Sequence, residues 1–118
     1  MSYDISLHDP RTKEILHAAQ PHQLRGGTFV AGGTTALELN VTYNYATIFY
    51  RVLGERGIRT IYGMTGAESV SVLEKAAAML KDEKDEDYWK PTEGNAKAAL
   101  AGLIELAKMA LDGVWEGD

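Results

Sequence analysis

The chain has no cysteine, which removes thiol nucleophiles, disulfide staples and every thiolate metal centre. Its three histidines, His8, His17 and His22, stand apart without an HxH or HExxH pair. A metal site would have to be gathered from distant loops, so neither a metal nor another cofactor is expected. No GxSxG elbow, Walker lysine loop or dinucleotide glycine fingerprint occurs. Positive charge is scarce: 12 Lys and Arg face 17 Asp and Glu, a formal net charge of −5. That balance opposes a sequence-independent phosphate-binding surface and disfavours general duplex nucleic-acid binding. No apolar run approaches the length that crosses a bilayer, and "MSYDISLHDP" has no basic segment leading into an apolar one. The expectation is a cytoplasmic protein with no membrane attachment, in which "NVT" at residues 40–42 carries no sugar.

What remains is an ordinary globular composition. The 118 residues are 45% hydrophobic and 25% charged, enough for one domain, 1–118, with its own core. "SYDISLHD" alternates Tyr3, Ile5 and Leu7 with Asp4, Ser6 and His8, the period of a half-buried strand. Asp9 and Pro10 suit a turn, and "ILHAA" then reads as a return strand, making a hairpin. "PHQLRGGTFVAGGTT" sets two double-glycine turns around the short apolar run at residues 29–31, a long loop or loop-strand-loop. "TALELNVTY" predicts one further strand, with Leu37, Leu39 and Val41 facing inward and Glu38, Asn40 and Thr42 outward.

Three helices follow. Asn44 is a candidate cap for a first helix carrying Ile48, Phe49, Val52 and Leu53, ended by Gly54 and Gly57. "IRTIYGM" reads as a short strand or irregular connector. "TGAE", residues 65–68, has capping-box spacing before a stripe of Val70, Leu73, Ala76, Ala77 and Leu80. "KDEKDED" is a solvated connector, and Thr92 caps a third helix that Gly113 ends. Trp115 is expected to tuck against the body. The order lacks regular strand-helix alternation, so the predicted class is α+β: a small, mainly antiparallel sheet packed against two or three helices.

"LNVTYNYA", residues 39–46, crowds uncharged hydrogen-bonding groups where a strand meets a helix. Asn40, Thr42, Tyr43, Asn44 and Tyr45 could there read a planar polar or nucleotide-like ligand with amides, phenols and a helix start. Alternatively Asn44 caps, the tyrosines pack and Asn40 fixes a turn. In "RGGT", Arg25 would pair with an anion cradled by the Gly26 and Gly27 amides and the Thr28 hydroxyl, or the segment is plain turn chemistry. Arg59 and Tyr62 would complement an anion at the same junction, or be solvated helix-end groups. "DYWKP" is either a docking patch on Tyr88 and Trp89 or the staple before the third helix. His8 with Asp9 or Asp4 could do acid-base work, although such adjacent groups are usually just exposed. Ser69 and Ser71 lie within a helix and give nucleophilic catalysis no support.

The strings "RGGT", "LNVTYNY", "FYRVLGERGIRTIYGMTGAESV", "DYW", "TEGNAK" and "GVWEGD" resemble a family of small phage- and prophage-encoded proteins with no established activity. The resemblance covers most of the chain and is most specific over residues 39–70. It implies a cytoplasmic accessory or counter-defence role in an infected cell and transfers no catalytic residue. The leading reading is a non-catalytic binding protein for a small polar or anionic ligand or a host protein. The alternatives are a small enzyme acting on a nucleotide-like ligand, and an assembly protein that forms a homo-oligomer.

Overall fold

A computed structural model describes residues 1–28 and 32–118; the apolar run at residues 29–31 lies outside the described residues. Strands β1 (Ser2–His8), β2 (His17–His22), β3 (Thr34–Ala36) and β4 (Glu38–Thr42) come first. Helices α1 (Ala46–Leu53), α2 (Gly66–Ala78) and α3 (Glu93–Met109) follow, and β5 (Val114–Gly117) closes the order. The class is α+β: an antiparallel sheet in the order β4-β1-β5 and a separate β2-β3 ribbon, with three helices.

The alternation along β1 does what its pattern dictates. Tyr3, Ile5 and Leu7 are buried under the helices, and Leu37, Leu39 and Val41 join them. β4 runs antiparallel to β1 with Tyr3 opposite Val41 and Ile5 opposite Leu39, so both inward rows meet on one face. α2 packs on α3, and α3 lies over β4. Gly102 of α3 faces Leu39, where an added methyl would make ordinary van der Waals contact at 3.4 Å.

The expected hairpin is cut short at one antiparallel bridge. β1 is the central strand, with one edge taken by β4 and the other by β5, so the return segment finds no ladder to join. It meets β1 at an isolated antiparallel bridge, His8 with Ile15, where the Leu16 amide donates to the Leu7 carbonyl and the Asp9 amide to the Glu14 carbonyl, each at 2.9 Å. The Leu7 amide donates to Leu37, and the Leu37 amide donates to Leu16, closing a three-way backbone joint. That joint breaks the single predicted strand at Leu37 into β3 and β4 and turns the β2-β3 ribbon away from the sheet.

The starting signals act as read at α2 and α3, whereas α3 ends at Met109, short of Gly113. The Thr65 hydroxyl accepts from the Glu68 amide at 3.1 Å while the Glu68 carboxylate accepts from the Thr65 amide at 2.9 Å, a complete capping box. The Thr65 amide, helped by the Thr65 hydroxyl, holds the Glu68 carboxyl below its ordinary pKa. Thr92 accepts from the Asn95 amide at 3.1 Å and caps α3. "IRTIYGM" is neither strand nor irregular at its start, since Gly57–Ile61 is a 3₁₀ turn. "VWEGD" contributes β5 itself, with Leu7 opposite Trp115. The fully buried indole donates to the Ser69 hydroxyl at 2.7 Å, which donates to the Gly66 carbonyl at 2.8 Å. Burying ~150–250 Å² of indole at ~25 cal/mol per Å² gives about 4–6 kcal/mol, kept whole because the N–H has a partner. Among the described residues, no helix is long and apolar enough to cross a membrane.

Candidate functional site

The strand-helix junction is built by Thr42, not Asn44. The Thr42 hydroxyl accepts from the Asn44 amide at 3.1 Å and starts a 3₁₀ turn, Tyr43–Tyr45, that runs into α1. The cap stands two residues earlier than the sequence suggests because a tight turn precedes the α-helix. Asn44 instead reaches out, donating its side-chain amide to the Trp89 carbonyl at 2.9 Å. Tyr45 is buried and its hydroxyl donates to the Tyr88 carbonyl. Burial pushes that phenol up to about 12. The junction thus grips the main chain of "DYW", leaving the Tyr88 and Trp89 rings edge to face at 5.1 Å and exposed.

The glycine turn converges on the same junction, as packing. The Gly26 carbonyl accepts from the Thr42 amide at 2.8 Å, and the Thr28 hydroxyl donates to the Asn40 carbonyl at 3.2 Å. Gly27 sits at φ 86° against the Tyr45 phenol and the Thr42 methyl, space that a Cβ would fill. Thr42 is consequently buried instead of emerging beside Asn40. Arg25 stays exposed, away from these contacts.

Arg59, Tyr43 and Tyr62 gather elsewhere, around Tyr3. The Arg59 guanidinium lies 4.9 Å from the Tyr3 ring centre, and its Nε donates to the Asp118 main-chain oxygen at 2.8 Å. Tyr43 meets Tyr3 edge to face at 4.5 Å. Tyr62 packs on Gly117, its buried hydroxyl having no partner among the described residues. Burial, reinforced by the Asp118 charge, pushes it to about 12. The predicted residues therefore separate into a junction group, an Arg59 group, exposed Arg25, and Asn40.

Asn40 alone of them lines an open cleft. The cleft has a volume of ≈ 210 Å³ and lies where the outer rows of β1 and β4 meet the end of the β2-β3 ribbon. Its polar lining is Asp4, Ser6, His22, Thr34, Glu38 and Asn40, with Gln23 beside them. The Asn40 amide donates to the Asp4 carboxylate at 2.5 Å, fixing both groups. His22 is already occupied: its Nε2 is 2.7 Å from the Ala36 carbonyl, so that nitrogen carries the proton, and Nδ1 accepts from the Leu24 amide at 3.3 Å. With His22 held as a neutral tautomer and no Lys or Arg in the lining, Asp4 and Glu38 set the sign of the cleft. Among the described residues, no three His, Asp or Glu side chains gather to hold a metal.

Along the same face Ser6 bonds to His8, and His8 reaches Glu116 at 3.0 Å. The period-two spacing put Ser6 and His8 on one face, but sequence reasoning did not pair them. Glu116 had no such signal, since only the tertiary pairing of β5 brings it near. No family model, curated protein or solved structure matches the chain, so geometry and charge carry the functional reading.

Proposed function

We propose that the protein is a binding protein that holds a small, polar, positively charged group in the Asp4-Glu38-Asn40 cleft. The observation that carries this reading is the lining itself: two carboxylates, a fixed amide and hydroxyls, with no cation to neutralise them. A unit cation about 4 Å from one carboxylate gains ~1 kcal/mol in water and ~4 kcal/mol at an effective dielectric of 20, and a phosphate is repelled on the same scale. Size argues the same way. At ≈ 210 Å³ the cleft falls below the ~300–1,000 Å³ of pockets for drug-sized molecules. It suits an amine or guanidinium, free or on a partner protein's side chain, better than a whole nucleotide. The resemblance to small phage and prophage proteins supports an accessory or counter-defence role, with a host protein's basic side chain as one natural occupant.

Thermal shift with agmatine and free arginine, beside a nucleotide panel, tests the reading. A ligand at a hundred times its dissociation constant adds ~2.7 kcal/mol, a readily measured rise. The cations should raise the melting temperature and Glu38→Gln should abolish the rise. A response to nucleotides alone would move the site elsewhere.

A further inference from the structure

We propose that Ser6 is a reactive serine, activated by His8 and Glu116, that accepts acyl groups from small esters carrying a positive charge. The inference rests on the cleft being a ligand site, as proposed above, and adds chemistry to it.

The arrangement follows from strand geometry. Ser6 and His8 stand two residues apart on the outer face of β1, and the register of β5 sets Glu116 opposite Ser6. Ser6 Oγ lies 2.8 Å from His8 Nε2. His8 Nδ1 lies 2.8 Å from the Lys13 carbonyl oxygen and 3.0 Å from Glu116 Oε2. A carbonyl oxygen has only lone pairs, so Nδ1 must hold the imidazole proton. With Nδ1–H so placed, the neutral form of the ring turns a bare Nε2 toward the serine hydroxyl. Hydroxyl on one nitrogen and carboxylate on the other is the connectivity of nucleophile, general base and orienting group. Lys13 supports it through its backbone: a φ of 67° sets the turn that delivers its carbonyl to His8. His8 is well covered, its side chain 16% exposed, whereas Glu116 is 52% exposed. Of the three residues only Ser6 lines the cleft, so a bound ester meets the hydroxyl while the base stays behind it.

The reaction balances with the ester and water alone. Ser6 Oγ bonds to the acyl carbon as its proton moves to His8 Nε2 and the carbonyl electron pair moves onto oxygen. The tetrahedral adduct collapses, the carbon-oxygen bond to the leaving group breaks, and the alcohol departs with the proton from Nε2. Water repeats the sequence on acyl-Ser6, releasing the acid and restoring the hydroxyl. Thr34 and Gln23 line the cleft with donors for the developing oxyanion. Glu38, opposite Ser6 across the β1-β4 ladder, raises the cost of that negative charge. A cationic substituent on the substrate offsets it, which is why the substrate class carries one. Glu116 and Lys13 act through His8 and are positioning groups.

The test treats the full chain with an alkyl fluorophosphonate bearing a trimethylammonium tail and with its neutral analogue, followed by intact mass and peptide mapping. One adduct is expected, on Ser6, forming about tenfold faster with the cationic probe, equivalent to ~1.4 kcal/mol. Ser6→Ala, checked for folding by circular dichroism, should abolish the adduct. His8→Gln, checked for folding by circular dichroism, should slow labelling by at least about 100-fold. Glu116→Gln should lower kcat for the para-nitrophenyl ester of aminohexanoate with KM unchanged. Labelling spread over several hydroxyls, or a His8→Gln rate equal to the parent's, overturns the reactive serine. An agmatine shift without a Ser6 adduct overturns it while leaving the binding reading intact, and the loss of both overturns both.

Discussion

Two polar regions of this protein are built from similar side chains and end differently. At the strand-helix junction, Thr42, Asn44 and Tyr45 each meet a main-chain partner, and the glycine turn covers Thr42 and Tyr45. On the outer face of the sheet, Asp4, Ser6, Glu38 and Asn40 line a cleft that the β2-β3 ribbon borders without filling. A buried hydroxyl or amide must find a partner inside or cost about 1–3 kcal/mol, so a covered region becomes scaffold. An uncovered one keeps its bonding capacity for a visitor. Residue type does not separate the two; the path of residues 22–28 does.

The contrast can be broken most forcefully at Gly26. A methyl there would stand 2.6 Å from the Asn40 carbonyl oxygen and 2.7 Å from a Val41 methyl, so Gly26→Ala should cost about 1–3 kcal/mol in chemical denaturation. A loss below about 0.5 kcal/mol, the range of ordinary surface changes, would mean the glycine turn does not cover the junction.

Alkali should unfold the scaffold before it touches the cleft. Tyr45 and Tyr62 ionise at about 12 when folded, against 10.0 ordinarily. The unfolded chain loses these protons first, so the stability they confer is whole below pH 10 and is lost as pH rises through about 12. Denaturation curves across that window, paired with tyrosinate absorbance, should show unfolding and ionisation together. Ionisation of all six tyrosines before the protein unfolds would contradict the burial of Tyr45 and Tyr62.

Smaller changes sharpen the picture. Thr42→Ala should cost about 1 kcal/mol through the lost cap, and Asn44→Ala about 0.5 kcal/mol through one exposed hydrogen bond. The reverse order would return the cap to Asn44. Glu38→Gln should alter stability by less than about 0.5 kcal/mol while removing the response to agmatine.

Local signals were legible in the sequence where a few neighbouring residues decide the outcome. The alternation of Tyr3, Ile5 and Leu7, the Thr65-Glu68 box and the Thr92 cap each needed no distant partner. The β1 partnership was not legible, because β5 supplies only four residues and its claim on β1 comes from the buried Trp115. The same limit applied to the site. "LNVTYNY" announced polar groups at a strand end, but whether Asn40 or Tyr45 stays open depends on Gly26, Gly27 and Tyr88, all distant in sequence. Ser6 and His8 were visible as one row, while their carboxylate lay at the far end of the chain.

The central strand also sets the order of folding. β1 pairs residues 5–8 with 114–117, so one side of the sheet closes across nearly the entire chain, whereas α2 and α3 are near neighbours in sequence. Pairings of such high contact order pay their loop-closure entropy late. The helical pair is therefore expected to assemble first and the β1-β5 ladder last, with φ-values near zero at Trp115 and fractional at Leu73 and Leu103. Formation of the ladder in the transition state would reverse that sequence.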